Sequence, residues 1–498
     1  MKKRLLSLSI LLAAFAAHAQ YGITSYDIYP GFQTSTPMGL TTYAGHVYFY
    51  ANDSVHGQEL WRVNENSAPA MVADIHPGNL PFAHAFTDDR RPISVFKEEL
   101  YFWGYDGKYY GPYKLNTTGG PTLTVDLLPL YPGFVNGAIM APLPEQLFFA
   151  GVYNYNGQQL WRYKVDGNEA KKVTSLVVND NTITDIIGFQ NKVYFTSRDR
   201  NKHGELYVHD PVADTTLPLQ TIWPGFVIQD ANTYTVINNR LYFYGTAPMI
   251  GAGIFMYDGI SAPRCISVNS QVDVAAVGAL REGNTIAVYH DMVYYVARTS
   301  DMYYQLVQYN PVTGKSAVAY KSTVKSIDIQ SLCVYNDKLF FSGSDAAHGR
   351  ELWQYDGTTA MLAADVNPGP DDSDPLQLTT QGNSLFFTAF TDAVGYELFK
   401  FTDIPASVAG INKQVSTALH PNPAHDAATL EISLQQPQTL EVTLTDAQGR
   451  IVHAIPSKQY NAGTQRITLP LQSLPAGMYY YRVSNGNAQL ASGKVMKE

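Results

Sequence analysis

Cysteine is almost missing from this chain: Cys265 and Cys333 are the only two in 498 residues. That excludes a disulfide-stapled scaffold and any cysteine-based zinc site. The pair lies far apart in sequence. In an exported protein a disulfide between them is permitted, but two buried thiols at strand positions is the preferred reading. Charge is scarce as well, at 15% of residues against a usual quarter or so. There is no basic surplus, since the formal net charge is −9. Nucleic-acid binding, which depends on a basic face, is therefore not expected. Beyond the first 20 residues no apolar run is long enough to cross a bilayer, so no transmembrane segment is expected. His-Glu-x-x-His, Gly-x-Ser-x-Gly and P-loop motifs are all missing.

What is abundant is aromatic residues, 12% of the chain with 35 tyrosines. They are not scattered. An aliphatic residue followed by two aromatics recurs eight times: Val47-Tyr48-Phe49, Leu100-Tyr101-Phe102, Leu147-Phe148-Phe149, Val193-Tyr194-Phe195, Leu241-Tyr242-Phe243, Val293-Tyr294-Tyr295, Leu339-Phe340-Phe341 and Leu385-Phe386-Phe387. Successive copies advance by 53, 47, 46, 48, 52, 46 and 46 positions. A steady period of that size, built from strand-like segments and turns, predicts a β-propeller with one four-stranded blade per repeat. The copy from Ile327 to Gly369 shows the unit most clearly. Its third strand, Glu351-Leu352-Trp353, recurs as Glu59-Leu60-Trp61, Gln159-Leu160-Trp161, Glu205-Leu206-Tyr207 and Glu397-Leu398-Phe399. Large aromatics at that position are expected to fill the wedge between blades. Repeats two, five and six are degenerate there.

The phase at the two ends of the array predicts how the ring closes. The eighth repeat stops after its third strand, at Phe401. The missing fourth strand is present near the N-terminus, where Tyr26-Asp27-Ile28-Tyr29-Pro30-Gly31 matches Ala73-Asp74-Ile75-His76-Pro77-Gly78 and Ala364-Asp365-Val366-Asn367-Pro368-Gly369. The first strand of the mature chain should complete the last blade and cover strand edges that would otherwise aggregate. Ahead of it, Lys2, Lys3 and Arg4, the apolar run Leu5–Ala17, and Ala17-His18-Ala19 have the form of a signal peptide cut between Ala19 and Gln20.

After a linker (402–417), short alternating runs (429–433, 440–444, 467–471, 478–483) predict a small β-sandwich. The expected fold is thus all-β: an eight-bladed β-propeller over 20–401 and a small Ig-like β-sandwich over 418–498, behind a signal peptide at 1–19.

The motif Glu-Leu-Trp-x-Tyr-Asp-Gly-Thr at 351–358 resembles the ELWxxDGT repeat of bacterial surface proteins, which implies a secreted propeller and no agreed chemistry. At the C-terminus, Pro421-Asn422-Pro423-Ala424, Asp446-Ala447-Gln448-Gly449-Arg450, Leu474-Pro475-Ala476-Gly477-Met478-Tyr479 and the ending Gly493-Lys494-Val495-Met496-Lys497-Glu498 occur in order. Together they resemble the type A C-terminal sorting domain of the type IX secretion system of Gram-negative bacteria. The resemblance implies recognition by an outer-membrane translocon, usual cleavage by a sortase-like peptidase, and delivery to the cell surface or the medium. Lys494 and Lys497 fit the usual ending. An ordinary adhesive sandwich is the alternative.

Candidate chemistry in the propeller is thin. Asp345-Ala346-Ala347-His348-Gly349 recurs as Asp53-Ser54-Val55-His56-Gly57 and, one residue longer, as 199–204. Asp/His pairs can bind metal or relay protons. Yet these copies stand in separate blades, so a turn role is expected, with Asp fixing the turn and Gly taking positive φ. The spacing also departs from the Ser-x-Asp-x-Gly-x-x-Trp turn of propeller sialidases. Asp371, Asp372 and Asp374 could offer oxygens to calcium, but no EF-hand framework completes them. No catalytic residue, metal or cofactor is expected. Two function classes remain: a surface module binding glycan, peptide or protein, served by loop tyrosines such as Tyr29, Tyr109, Tyr110 and Tyr153, or a secreted hydrolase with a site at the central channel.

Overall fold

All eight aromatic triplets lie in the middle of strands, and none of their residues is more than 3% exposed. A strand covered on both faces has no need to alternate polar with apolar residues, which is why these segments appear as apolar runs. Each is the second strand of a four-stranded antiparallel meander. In the first meander Met38–Tyr43, His46–Asn52, Gln58–Asn64 and Ser67–Ala73 pair in that order. Later ones begin at Ile93, Met140, Thr182, Gln229, Ile286, Gln330 and Leu376. The degenerate repeats form the same unit. The fourth and fifth are joined by one bridge, Glu205 to Gln229.

The computed structural model describes residues 20–78, 92–106, 108, 110–115, 121–123, 139–152, 157–164, 169–174, 182–198, 204–222, 228–248, 250–267, 285–325, 329–404, 415–434, 436–446, 451–485 and 488–498. The expected signal peptide, including Ala19, falls outside them. The chain separates into two compact units, Gly22–Thr402 and a second that contains Asp403–Glu498.

In the first unit the last meander consists of Leu376–Gln381, Ser384–Thr391 and Gly395–Ile404, and its outer strand is Gln20–Tyr26. The first strand of each meander packs beside that of the next, and the last beside the first. Apolar side chains fill the seams. Tyr48, Tyr50 and Leu60 meet Ile93, Leu100 and Phe102, and Val47, Phe49 and Val63 meet Phe386 and Leu398. Two of the repeated tryptophans, Trp61 and Trp353, pack in these seams. Trp353 sits against Tyr320, with ring centroids 5.1 Å apart. A Cβ on Gly343 would lie 3.0 Å from its indole Cδ1, so only glycine leaves room beneath the ring. The unit is all-β and propeller-like.

Polar side chains also stitch neighbouring meanders along their first strands. These strands bulge where Gly39, Ser331 and Gln377 take positive φ. There Ser331 Oγ accepts the Gln377 N–H at 3.1 Å, and Gln377 Oε1 accepts the N–H groups of Gly39 (2.7 Å) and Leu40 (3.2 Å). The same device joins the fourth and fifth meanders, where Asp185 Oδ2 accepts the Tyr234 N–H at 2.9 Å.

The described residues of the second unit form seven strands in two sheets. Val415–His420, Ala427–Leu434 and Gly463–Pro470 form one; Ile451–Tyr460, Gln438–Thr445, Gly477–Asn485 and Ala488–Lys497 form the other, each in spatial order. Leu430, Ile432 and Ile467 of the first share a core with Val442, Leu444, Val483 and Val495 of the second. Strands reach into the expected 402–417 linker from both sides. One runs to Ile404, and another starts at Val415, which pairs with Leu434.

Cys265 and Cys333 are free thiols at strand positions, half-buried where full burial was expected. Burial nevertheless pushes the Cys333 thiol up to about 12.

Candidate functional site

The glutamate that opens the Glu-Leu-Trp strand is the residue whose role the sequence concealed. Glu59, Glu351 and Glu397 are all fully buried. Each points its carboxylate at the loop that leads to the next meander, the Asp-x-x-Pro-Gly segment. Glu59 accepts the N–H groups of Ile75 (3.1 Å) and His76 (3.0 Å). Glu351 accepts the N–H groups of Val366 (2.6 Å) and Ser373 (3.1 Å) and the Ser373 hydroxyl (2.7 Å). Glu397 does the same across the ends of the array. It accepts the N–H groups of Ile28 (3.2 Å), Tyr29 (3.2 Å) and Ser35 (3.1 Å) and the Ser35 hydroxyl. A signal for this was available: serine follows the glycine of the Pro-Gly pair by four residues in both copies, Gly31 to Ser35 and Gly369 to Ser373.

Burial pushes the carboxyl of Glu59 up to about 8 and that of Glu351 up to about 7, although main-chain donors pull both back. Burial raises Glu397 as well. Such groups could look like poised acids. Here their oxygens are occupied by donors of their own loops, in separate meanders, so they act as loop clamps.

The Asp/His turns are local. Asp53 Oδ1 accepts the N–H groups of Val55 and His56, and its Oδ2 lies 2.7 Å from His56 Nδ1. Asp345 repeats this with Ala347 and His348, the imidazole nitrogen at 2.9 Å. The carboxylate beside each ring holds His56 and His348 above the ordinary histidine range. Gly349 closes its turn at φ 69°, where a Cβ would lie 2.8 Å from backbone atoms of Pro370 and Asp371. Asp372 accepts the Arg350 N–H at 2.7 Å, and Asp374 pairs with the Arg350 guanidinium. The acidic loop is therefore engaged within the chain. Among the described residues no three His, Cys, Asp or Glu side chains gather as a metal cage. Nor is any helix there long and apolar enough to cross a membrane. Tyr29 is half-buried. Tyr109 and Tyr153 lie outside the described residues, and of Tyr110 only its strand position is described.

In the second unit the structure brings together residues that stand 72 and 74 positions apart in sequence. Asn422, between Pro421 and Pro423, donates from Nδ2 to the Lys494 carbonyl at 3.1 Å and accepts the Met496 N–H on Oδ1 at 2.9 Å. Pro475 accepts the Tyr479 hydroxyl at 2.8 Å, two residues before and after Gly477. Gly449 and Arg450 lie outside the described residues, in the connection between paired strands Gln438–Thr445 and Ile451–Tyr460.

Residues 418–498 match the family model described as the secretion system C-terminal sorting domain. The C-terminal unit carries a secretion sorting domain. A domain of this kind indicates export by the type IX system. No curated protein matches the chain. Similar solved structures include a puromycin hydrolase, at 13% identity and TM-score 0.47, covering 73% of this chain and 60% of that one. A prolyl endopeptidase matches at 7% identity and TM-score 0.43, covering 82% and 56%. An oligogalacturonate lyase in complex with manganese matches at 14% and 0.38, covering 61% and 85%. This chain thus spans about 60% of the puromycin hydrolase it matches. Likeness at this level carries no argument about activity.

Within the sorting domain, strand alternation separates core from surface. Val495 is fully buried, whereas Lys494 and Met496 on either side are exposed. Tyr481 lies over Gly493, where a Cβ would come within 2.5 Å of its hydroxyl.

Proposed function

We propose that this chain is a secreted or cell-surface protein whose eight-bladed propeller is exported by the type IX system, with residues 1–19 as its signal peptide and the Ig-like sandwich as its sorting signal. The propeller serves as a binding or adhesion module for glycan, peptide or protein. The observation that carries the export reading is the sorting-domain match over 418–498 with its motifs in order. The closed circuit of first strands and the placement of Gln20–Tyr26 on the last meander support eight blades. A binding role is supported by how the recurring carboxylates are used: they fix loops and leave the loop surface to vary from blade to blade.

Removing 418–498 tests the export reading. In a bacterium with a type IX system the truncated propeller should accumulate, folded, in the periplasm. Normal surface levels of the truncated chain would refute the assignment.

A further inference from the structure

The strand Ala488–Lys497 lies at the edge of its sheet. An edge strand offers a row of unpaired N–H and C=O groups. Over its second half that row is covered. Besides the two Asn422 bonds, the Ala424 N–H donates to the Met496 carbonyl at 2.9 Å, and the Glu498 N–H donates to the Ala424 carbonyl at 3.0 Å. Ala424 and Lys497 thus form a parallel bridge. His425 Nε2 lies 3.4 Å from a Glu498 carboxylate oxygen.

Pro421 and Pro423 have no N–H to contribute. The asparagine between them supplies what the main chain there cannot. Its side-chain amide uses one N–H as donor and its oxygen as acceptor, as a peptide group would. Aspartate would keep the acceptor and lose the donor, and alanine would lose both. Register is what these bonds protect. A slip of one residue along the edge would turn Lys494 and Met496 inward and Val495 outward.

We propose that Asn422 is a positioning residue of the sorting signal. Its amide clasps residues 494–498 to the sheet, so that Lys494, with Tyr480 paired beside it on the exposed face, is presented on a folded edge and not on a loose peptide. This rests on the export reading above.

The test uses the full chain, in the bacterium and purified. Asn422→Ala should speed amide exchange at Met496 and Glu498 by about tenfold, the factor one lost hydrogen bond is worth. Exchange in Ala427–Leu434 should stay unchanged, and surface delivery should fall to less than half. Asn422→Asp, which keeps the acceptor for Met496, should fall between. Lys494→Ala leaves the clasp intact, because only the Lys494 carbonyl is used; it should lower delivery with normal exchange. Unchanged exchange in Asn422→Ala overturns the clasp, and so does full delivery despite a frayed edge. If Asn422→Ala loosens the whole unit, Asn422→Asp decides, and full delivery with fast exchange at Met496 again overturns the proposal. A chain lacking 418–498 that still reaches the surface sinks the export reading instead.

Discussion

Replacing Glu397 by alanine should loosen the closure of the propeller-like unit. The carboxylate holds three N–H groups and one hydroxyl on a segment 362 to 369 residues away in sequence. Ser35, which supplies two of these donors, is fully buried, so in the variant both would be stranded away from water. Each stranded donor costs about 1–3 kcal/mol. Ile28 and Tyr29 are half-buried and recover water at lower cost. Against this, the variant no longer desolvates a carboxyl that burial already strains. The net loss should be about 3 kcal/mol. At about 2.1 cal/mol/K per residue, a unit of roughly 380 residues has an unfolding entropy near 0.8 kcal/mol/K, so the melting temperature should fall by about 4 °C. Glu59→Ala is the control. It removes a similar clamp whose partners lie 16 and 17 residues away. Both variants should lose stability, but only Glu397→Ala should speed amide exchange throughout 22–35. Thermal unfolding and hydrogen exchange on the purified full chain measure both effects. Deleting 20–31 removes the closing strand as well and should cost more than either. A Glu397→Ala protein that melts within about 1 °C of wild type, with 22–35 still protected, would refute the latch.

Two further outcomes are expected. Trp353→Ala should act as a core truncation, costing about 3–5 kcal/mol, because the residue is 9% exposed and its ring packs on Tyr320 and Gly343; urea unfolding checks this, and a variant as stable as wild type would reassign that strand to a recognition surface. Glu59 should make stability depend on pH: its folded value near 8 lies above the unfolded value near 4.5, so its contribution is present below 4.5 and is lost as pH rises through 8. Its share of the slope should be at most about 1.4 kcal/mol per pH unit, and Glu59→Gln, which cannot ionise, should remove that share while those of Glu351 and Glu397 remain; parallel pH profiles for the two proteins would contradict the assignment.

The sequence by itself determined the repeat, its strand composition and the sorting motifs, because each is local. A triplet buried on both faces must be continuously apolar, and a turn must carry Asp, Asn or Gly, whatever surrounds it. The copy of the Asp-x-x-Pro-Gly motif at 27–31 pointed to an N-terminal strand near residues 24–28 beside the last repeat; the strand that pairs there, Gln20–Tyr26, ends just ahead of the motif. Tertiary structure alone decided which polar groups meet. Glu397 and Ser35 each belong to a recurring local pattern, but nothing in either pattern joins them across 362 positions; Gln377 bonds to Gly39 across the same closure, and Asn422 finds Lys494 only after two sheets have packed. A hydrogen bond depends on distance and direction in three dimensions, and periodicity along a chain carries neither for partners so far apart.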